Sequence, residues 1–159
     1  MTGGGFIVRD SGAKANFGVG GECKHGSPTW GHLEYHDHGT DLNVHWTSIT
    51  AYLDLDGDTG ADPKTGQPTG TRYICGTAQT NLYGDVDFIV RAKDVGEPGV
   101  DDTFTIRLTK SGATVYTTEF DSDHTLGGSG PGGADIQLHK PNPSTSGSFG
   151  GSCPALSGG

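Results

Sequence analysis

Residues that build helices and membrane spans are scarce in this chain. There is one Met in 159 residues, and no segment sustains the 3.6-residue apolar period of an amphipathic helix. No apolar run approaches the ~18 residues of a membrane-spanning helix, so membrane insertion is not expected. Basic residues are also few. Ten Lys and Arg stand against nineteen Asp and Glu, for a formal net charge of −9. Such a surface repels phosphate backbones and anionic membranes, which argues against a nucleic-acid partner. No C-x-x-C pair is present, so a thiolate zinc site is not expected. The G-x-S-x-G elbow, the phosphate loop, the dinucleotide fingerprint and the H-E-x-x-H helix are all missing, and their chemistries with them. No export signal precedes the first strand; MTGGGF reads as an initiator Met placed on a truncated mature domain.

What is abundant is Gly, with 29 residues against a usual share of ~7%, together with Thr and Ser. That mixture suits short strands joined by tight turns. The acidic, Lys-poor character favours a secreted protein, extracellular or at the cell surface, where a disulfide persists. Cys23, Cys75 and Cys153 allow one bridge and one free thiol, in any of three pairings.

Alternation and turn signals predict about nine strands: within Gly3–Arg9, Lys14–Cys23, Gly31–Thr40, Leu42–Leu53, Arg72–Thr80, Val86–Ala92, Thr103–Thr109, Ala113–Phe120 and Ala134–His139. The expected fold is all-β, an antiparallel β-sandwich or open barrel. Residues 1–140 form its single domain. Residues 141–159, rich in Pro, Gly and Ser, read as a tail that Cys153 would staple to the body. Leu42–Leu53 is apolar on both parities, which suits a strand between layers or one that bends.

Chemistry concentrates in GHLEYHDHGT, Gly31–Thr40. In a strand His32, Glu34, His36 and His38 share one face, and Leu33, Tyr35 and Asp37 the other. An H-x-H pair on a strand face can hold zinc or copper with a ligand from a neighbouring strand. His36 and His38 are that pair, His32 and Glu34 extend it, and His139 is the candidate from elsewhere. The alternative is a solvated face, with Asp37 and His38 bonded to the Gly39–Thr40 turn. A second candidate is the seventeen-residue loop Asp54–Gly70. Asp54, Asp56 and Asp58 alternate there with Gly57 nearby, and Asp62 can add an oxygen, a donor set suited to calcium. It does not match the helical calcium hand, because Thr59 and Thr65 stand where that motif has Gly and an acid. Glu97, Asp101 and Asp102 lie in a turn-rich loop whose acids are expected to cap backbone donors. Among the aromatics, Trp30 is the one expected to be exposed beside the histidines.

Three blocks carry a resemblance: GHLEYHDHGTDL (31–42), DVGEPGVDDTFTIRL (94–108) and GGADIQLHK (132–140). In order and spacing they resemble the post-choice-of-anchor domains of bacterial secreted and surface proteins, whose pattern runs GHxxYxDHGTGL, DNGEPGxxDTFxIxL and GGxIQLHK. Asp41 stands where that pattern has Gly, and Val95 where it has Asn. The resemblance implies an extracytoplasmic all-β module attached to larger proteins, with no defined activity. His32, Asp37, His38 and His139 recur in the pattern, which implies structural roles for them; His36 does not. The expected function is a secreted accessory module for adhesion, surface assembly or binding of a ligand such as a carbohydrate or a surface protein, stabilised by calcium. A small extracellular metalloenzyme and a filament or matrix subunit are the alternatives, the last because edge strands can pair with neighbours.

Overall fold

Alternation decides which side of the sheet each residue takes. In a computed structural model of the chain, described here for residues 1–24, 27–96, 101–127, 135–138 and 149–156, eleven strands form. They are β1 (Thr2–Val8), β2 (Lys14–Lys24), β3 (Ser27–Asp37), β4 (Leu42–Leu53), β5 (Gly60–Ala61), β6 (Pro68–Thr80), β7 (Gly84–Asp94), β8 (Thr103–Lys110), β9 (Ala113–Thr117), β10 (Asp135–Gln137) and β11 (Gly150–Gly151). All pairings are antiparallel, in the order β10-β1-β2-β3-β4-β6-β7-β8-β9, with β5 beside β6 and β11 beside β4. The all-β expectation holds.

The sheet curls around one core into an open half-barrel. Phe17 on β2 and Phe104 on β8 stand far apart along the strand order, yet their rings stack with centroids 3.9 Å apart. Ile7, Val19, Leu33, Val44, Phe88, Ile106 and Ile136 complete the buried cluster. Each such side chain contributes roughly 1.5–3 kcal/mol through burial.

The two ends of the sheet are brought together by other means than a ladder. The segment after β9 bridges β8 to β1: the Leu126 N–H donates to Asp102 O at 3.0 Å and the Gly127 N–H to Phe6 O at 2.7 Å. Short β10 pairs with β1 on one side. On its other side two buried carboxylates take the place of a strand. Asp102 Oδ2 accepts the Ile136 N–H at 2.9 Å, and Asp94 Oδ2 accepts the Leu138 N–H at 2.8 Å.

Two local departures from the expected pattern have clear causes. β6 starts earlier than Arg72, because Pro68 and Thr69 pair with β5 and shorten the long loop. β4 carries irregularities between Trp46 and Ser48 and between Ile49 and Ala51, and these change which parity faces inward. Ile49 and Tyr52 therefore join the main core, while Ala51 faces a second cluster outside it with Cys75, Ile89 and Ala155. That outer cluster is roofed by residues 153–155, which the Cys75–Cys153 disulfide fixes to β6. Cys23 is the buried free thiol. In the chain-entropy account, a bridge across 78 residues contributes about 4.5 kcal/mol.

Candidate functional site

β3 presents its polar residues as the alternation predicts. His32, Glu34 and His36 lie on the outer face, and Leu33, Tyr35 and Asp37 are buried. The strand ends at Asp37, so His38 sits at the start of the turn, its N–H donating to Lys14 O at 2.9 Å. Each outer side chain has its own partner. His36 Nε2 lies 3.2 Å from Asp41 Oδ1. His38 Nε2 lies 2.7 Å from Asn16 Oδ1. Glu34 bonds His45 Nδ1 across the β3–β4 pair. His32 lies over Gly20, where an added Cβ would stand 2.8 Å from the ring, and meets Trp46 edge-on at 6.0 Å. The His36 and His38 rings do approach, to 4.3 Å. Among the described residues, no group of three or more His, Cys, Asp or Glu stands where it could hold a metal. His139 lies outside the described residues, as do residues 97–100 of the EPG loop. Trp30 is 46% exposed, as expected of it.

Asp41 has φ +60, a left-handed conformation that favours Gly. The carboxylate this chain puts there meets His36.

Behind the histidines, on the inner face, lies a polar knot that sequence reading missed. Asp37 Oδ2 accepts from Arg9 Nη1 at 2.9 Å and from Tyr116 O–H at 2.7 Å, and Asp37 Oδ1 accepts the Gly39 N–H at 2.8 Å. Tyr116 has one proton and gives it to Asp37, so its oxygen accepts from Arg9 Nη1 and from Tyr35 O–H, both at 2.6 Å. Arg9 Nε is bonded by Asp121 as well. Burial pushes the Asp37 carboxyl up, and hydrogen bonds from Tyr116 and Gly39 with the Arg9 charge outweigh it, holding it below the usual carboxylate range. Burial raises both tyrosines. The knot is a structural element: it ties β1 and β3 to β9 across the core.

The alternating aspartates are docked one by one on the rim of β6 and β7. Asp54 Oδ2 accepts from Thr59 at 3.1 Å, and Asp54 Oδ1 lies 3.6 Å from Arg72 Nη1. Asp56 accepts from Tyr73 O–H at 2.8 Å and Arg91 Nη2 at 2.9 Å. Asp58 accepts the Thr71 N–H at 2.8 Å and its hydroxyl at 2.6 Å, with Lys93 Nζ 4.0 Å away. Asp62 is buried and accepts the Lys64 N–H at 2.8 Å. The period of two that suggests a calcium loop is here also the period of the strand rim it answers.

The docked loop, the stapled residues 153–155 and the segment after β9 leave an opening on the outer face of β6–β8. It is a groove of about 360 Å³ lined by Tyr73, Ile89, Arg91, Thr105, Arg107, Glu119 and His124. Register builds it: Tyr73 opposes Arg91, which opposes Thr105, and in the next row Ile89 opposes Arg107. Arg107 Nε meets Glu119 Oε1 at 2.9 Å, and Arg91 Nε donates to Tyr73 Oη at 3.1 Å. Ile89 gives the floor an apolar spot. These residues come from β6, β7, β8 and the segment after β9; the one sequence signal is Arg91 and Arg107 recurring on the outward parity of neighbouring strands. Comparison with family models, with curated proteins and with solved structures gives no match to the chain.

Proposed function

We propose that this chain is an extracytoplasmic binding module that holds a carbohydrate in the groove over β6–β8 without transforming it. The groove carries the reading. It has the size of a small-molecule site, and its chemistry is that of a polyol host. The Arg107–Glu119 and Arg91–Asp56 pairs set a donor fork beside a carboxylate, the arrangement that vicinal hydroxyls satisfy as donor and acceptor together. The part-exposed ring of Tyr73 offers apolar area to a sugar ring face. The Cys75–Cys153 bridge, the Gly-, Ser- and Thr-rich acidic composition and the resemblance to post-choice-of-anchor domains support an oxidising, extracytoplasmic setting.

Affinity electrophoresis and calorimetry against a panel of neutral and acidic polysaccharides test it. Retention by at least one glycan is expected, weakened roughly tenfold or more by Arg107→Ala and by Tyr73→Ala, while Trp30→Ala on the far strand leaves it unchanged. No retention on any glycan, or equal retention by wild type and groove variants, overturns the proposal.

A further inference from the structure

The outer face of β6–β8 does not end with the groove. Outward positions recur every second residue, and the row beyond Ile89 and Arg107 is Thr77, Asp87 and Thr109, in register across the three strands. Gln79 and Asp85 form the row after it. With Lys110 these residues line a second cavity, of about 480 Å³. It abuts the first. On β7 the lining passes from Ile89 to Asp87, and on β8 from Arg107 to Thr109. Cys153 and Ala155 pack at Cys75 and Ile89, so the lining is interrupted on β6, where Tyr73 and Thr77 flank Cys75. From Arg91 to Asp85 the face runs roughly 20 Å along β7, longer than one or two sugar rings. The two halves differ in chemistry. The first pairs its charges, Arg91 with Asp56 and Arg107 with Glu119. In the second, the Asp85 and Asp87 carboxylates and the Gln79 amide make no hydrogen bond or ion pair among the described residues. Its lysine, Lys110, donates to Tyr83 O at 2.6 Å.

We infer that the two cavities form one binding track, and that its ligand is a neutral linear polysaccharide held along its length. This rests on the carbohydrate reading of the groove and adds the ligand's charge and reach. A carboxylate only accepts hydrogen bonds, so Asp85 and Asp87 suit a ligand that presents hydroxyl donors to that row. A uronate or a sulfate ester there would meet two carboxylates, and like charges set side by side repel. A chain that fills the first cavity lays its next units over Thr77, Asp87 and Gln79. Contacts in the second cavity then form within a chain already bound, so they add to affinity without a second encounter. In this division Arg107 and Tyr73 hold any sugar that enters, and Asp87 reads whether the chain continues and whether it is uncharged.

A length ladder tests it. Galactomannan, dextran and mixed-linkage β-glucan are compared with alginate and polygalacturonate in affinity electrophoresis, and oligosaccharides of two, four and six units cut from each retained polymer are titrated by calorimetry. A neutral polymer is expected to be retained, with its six-unit oligosaccharide bound roughly tenfold more tightly than its two-unit one. Asp87→Ala is expected to remove most of that gain, because hydrogen bonds to a charged acceptor are among the stronger ones, whereas Arg107→Ala weakens binding at every length. Three results overturn the track and leave the carbohydrate reading standing: retention of alginate or polygalacturonate alone, a two-unit ligand bound as tightly as a six-unit one, or an Asp87→Ala protein with the wild-type length dependence. Retention of none of these polymers overturns both.

Discussion

β3 carries polar residues on both faces, and the two sets are built on different terms. On the outer face Glu34, His36 and the adjoining His38 each find a separate, solvent-accessible partner, and His32 rests over Gly20 against Trp46. On the inner face one carboxylate, Asp37, gathers Arg9, Tyr116, Gly39 and, through Tyr116, Tyr35. The outer set is rich in recognisable ligand types and loosely coupled. The inner set has ordinary residue types and is tightly coupled, and it joins strands that are 28 and 79 residues apart in sequence. Low solvent access is what separates them: exposed ion pairs contribute ~0–1 kcal/mol, whereas an unmet buried charge costs several.

The largest expected effect is therefore on the inner face. Asp37→Ala leaves the part-buried Arg9 guanidinium with Asp121 as its carboxylate and the Tyr116 hydroxyl without its acceptor, and a loss of about 2–3 kcal/mol is expected in urea unfolding. A loss below ~1 kcal/mol would mean that the knot behaves like the outer face. Next is Tyr116→Phe, which removes the hydroxyl that relays between Arg9, Asp37 and Tyr35. It is expected to cost about 1–3 kcal/mol, from the acceptors and donors left unmatched.

The pH dependence of melting separates two buried carboxylates of opposite sign. Asp37 is held below its unfolded value, so its contribution is present above pH ~4 and lost as pH falls through the lowered folded value. Asp102 is pushed up to about 7, by burial first and then by Asp94 and Asp135. Its contribution is present below pH ~4 and lost as pH rises toward and through about 7. Melting curves of Asp102→Asn are expected to lose part of the decline between pH 4 and 8 that wild type shows. An unchanged slope would show that Asp102 does not hold its proton there. The smallest effect belongs to the outer face: His36→Ala is expected to change unfolding free energy by less than ~0.5 kcal/mol. A larger loss, or stoichiometric zinc or copper in purified wild type that the variant lacks, would overturn the contrast.

Much of the fold was legible in the sequence because it rests on local alternation. Leu33, Tyr35 and Asp37 against His32, Glu34 and His36 is a period-two pattern that needs no partner to be read. Gly, Thr and Ser abundance and the turn signals give the strand count to within short pieces such as β5 and β11. What was not legible depends on distant partners. Nothing near Asp37 announces Arg9 or Tyr116. The three cysteines permit any pairing until β6 and the C-terminal segment meet. The groove needs Tyr73, Arg91, Arg107, Glu119 and His124 from separate segments, and their proximity follows from register. The alternating aspartates were legible as a pattern and not as a role, since the side chains that answer them stand on β6 and β7.

The two carboxylates beside β10 give the half-barrel an unequal circumference. Elsewhere a strand is held by a run of backbone bonds that must open in series. Along this line the backbone of the described residues is held by carboxylates, Asp102 to Ile136 and Asp94 to Leu138, so the amide protons of Ile136 and Leu138 should exchange with solvent sooner than those of Phe88 or Val90. Under a stretching force, or in slow breathing, the wall would part there first, because side chains hold it where a ladder holds the other long strands.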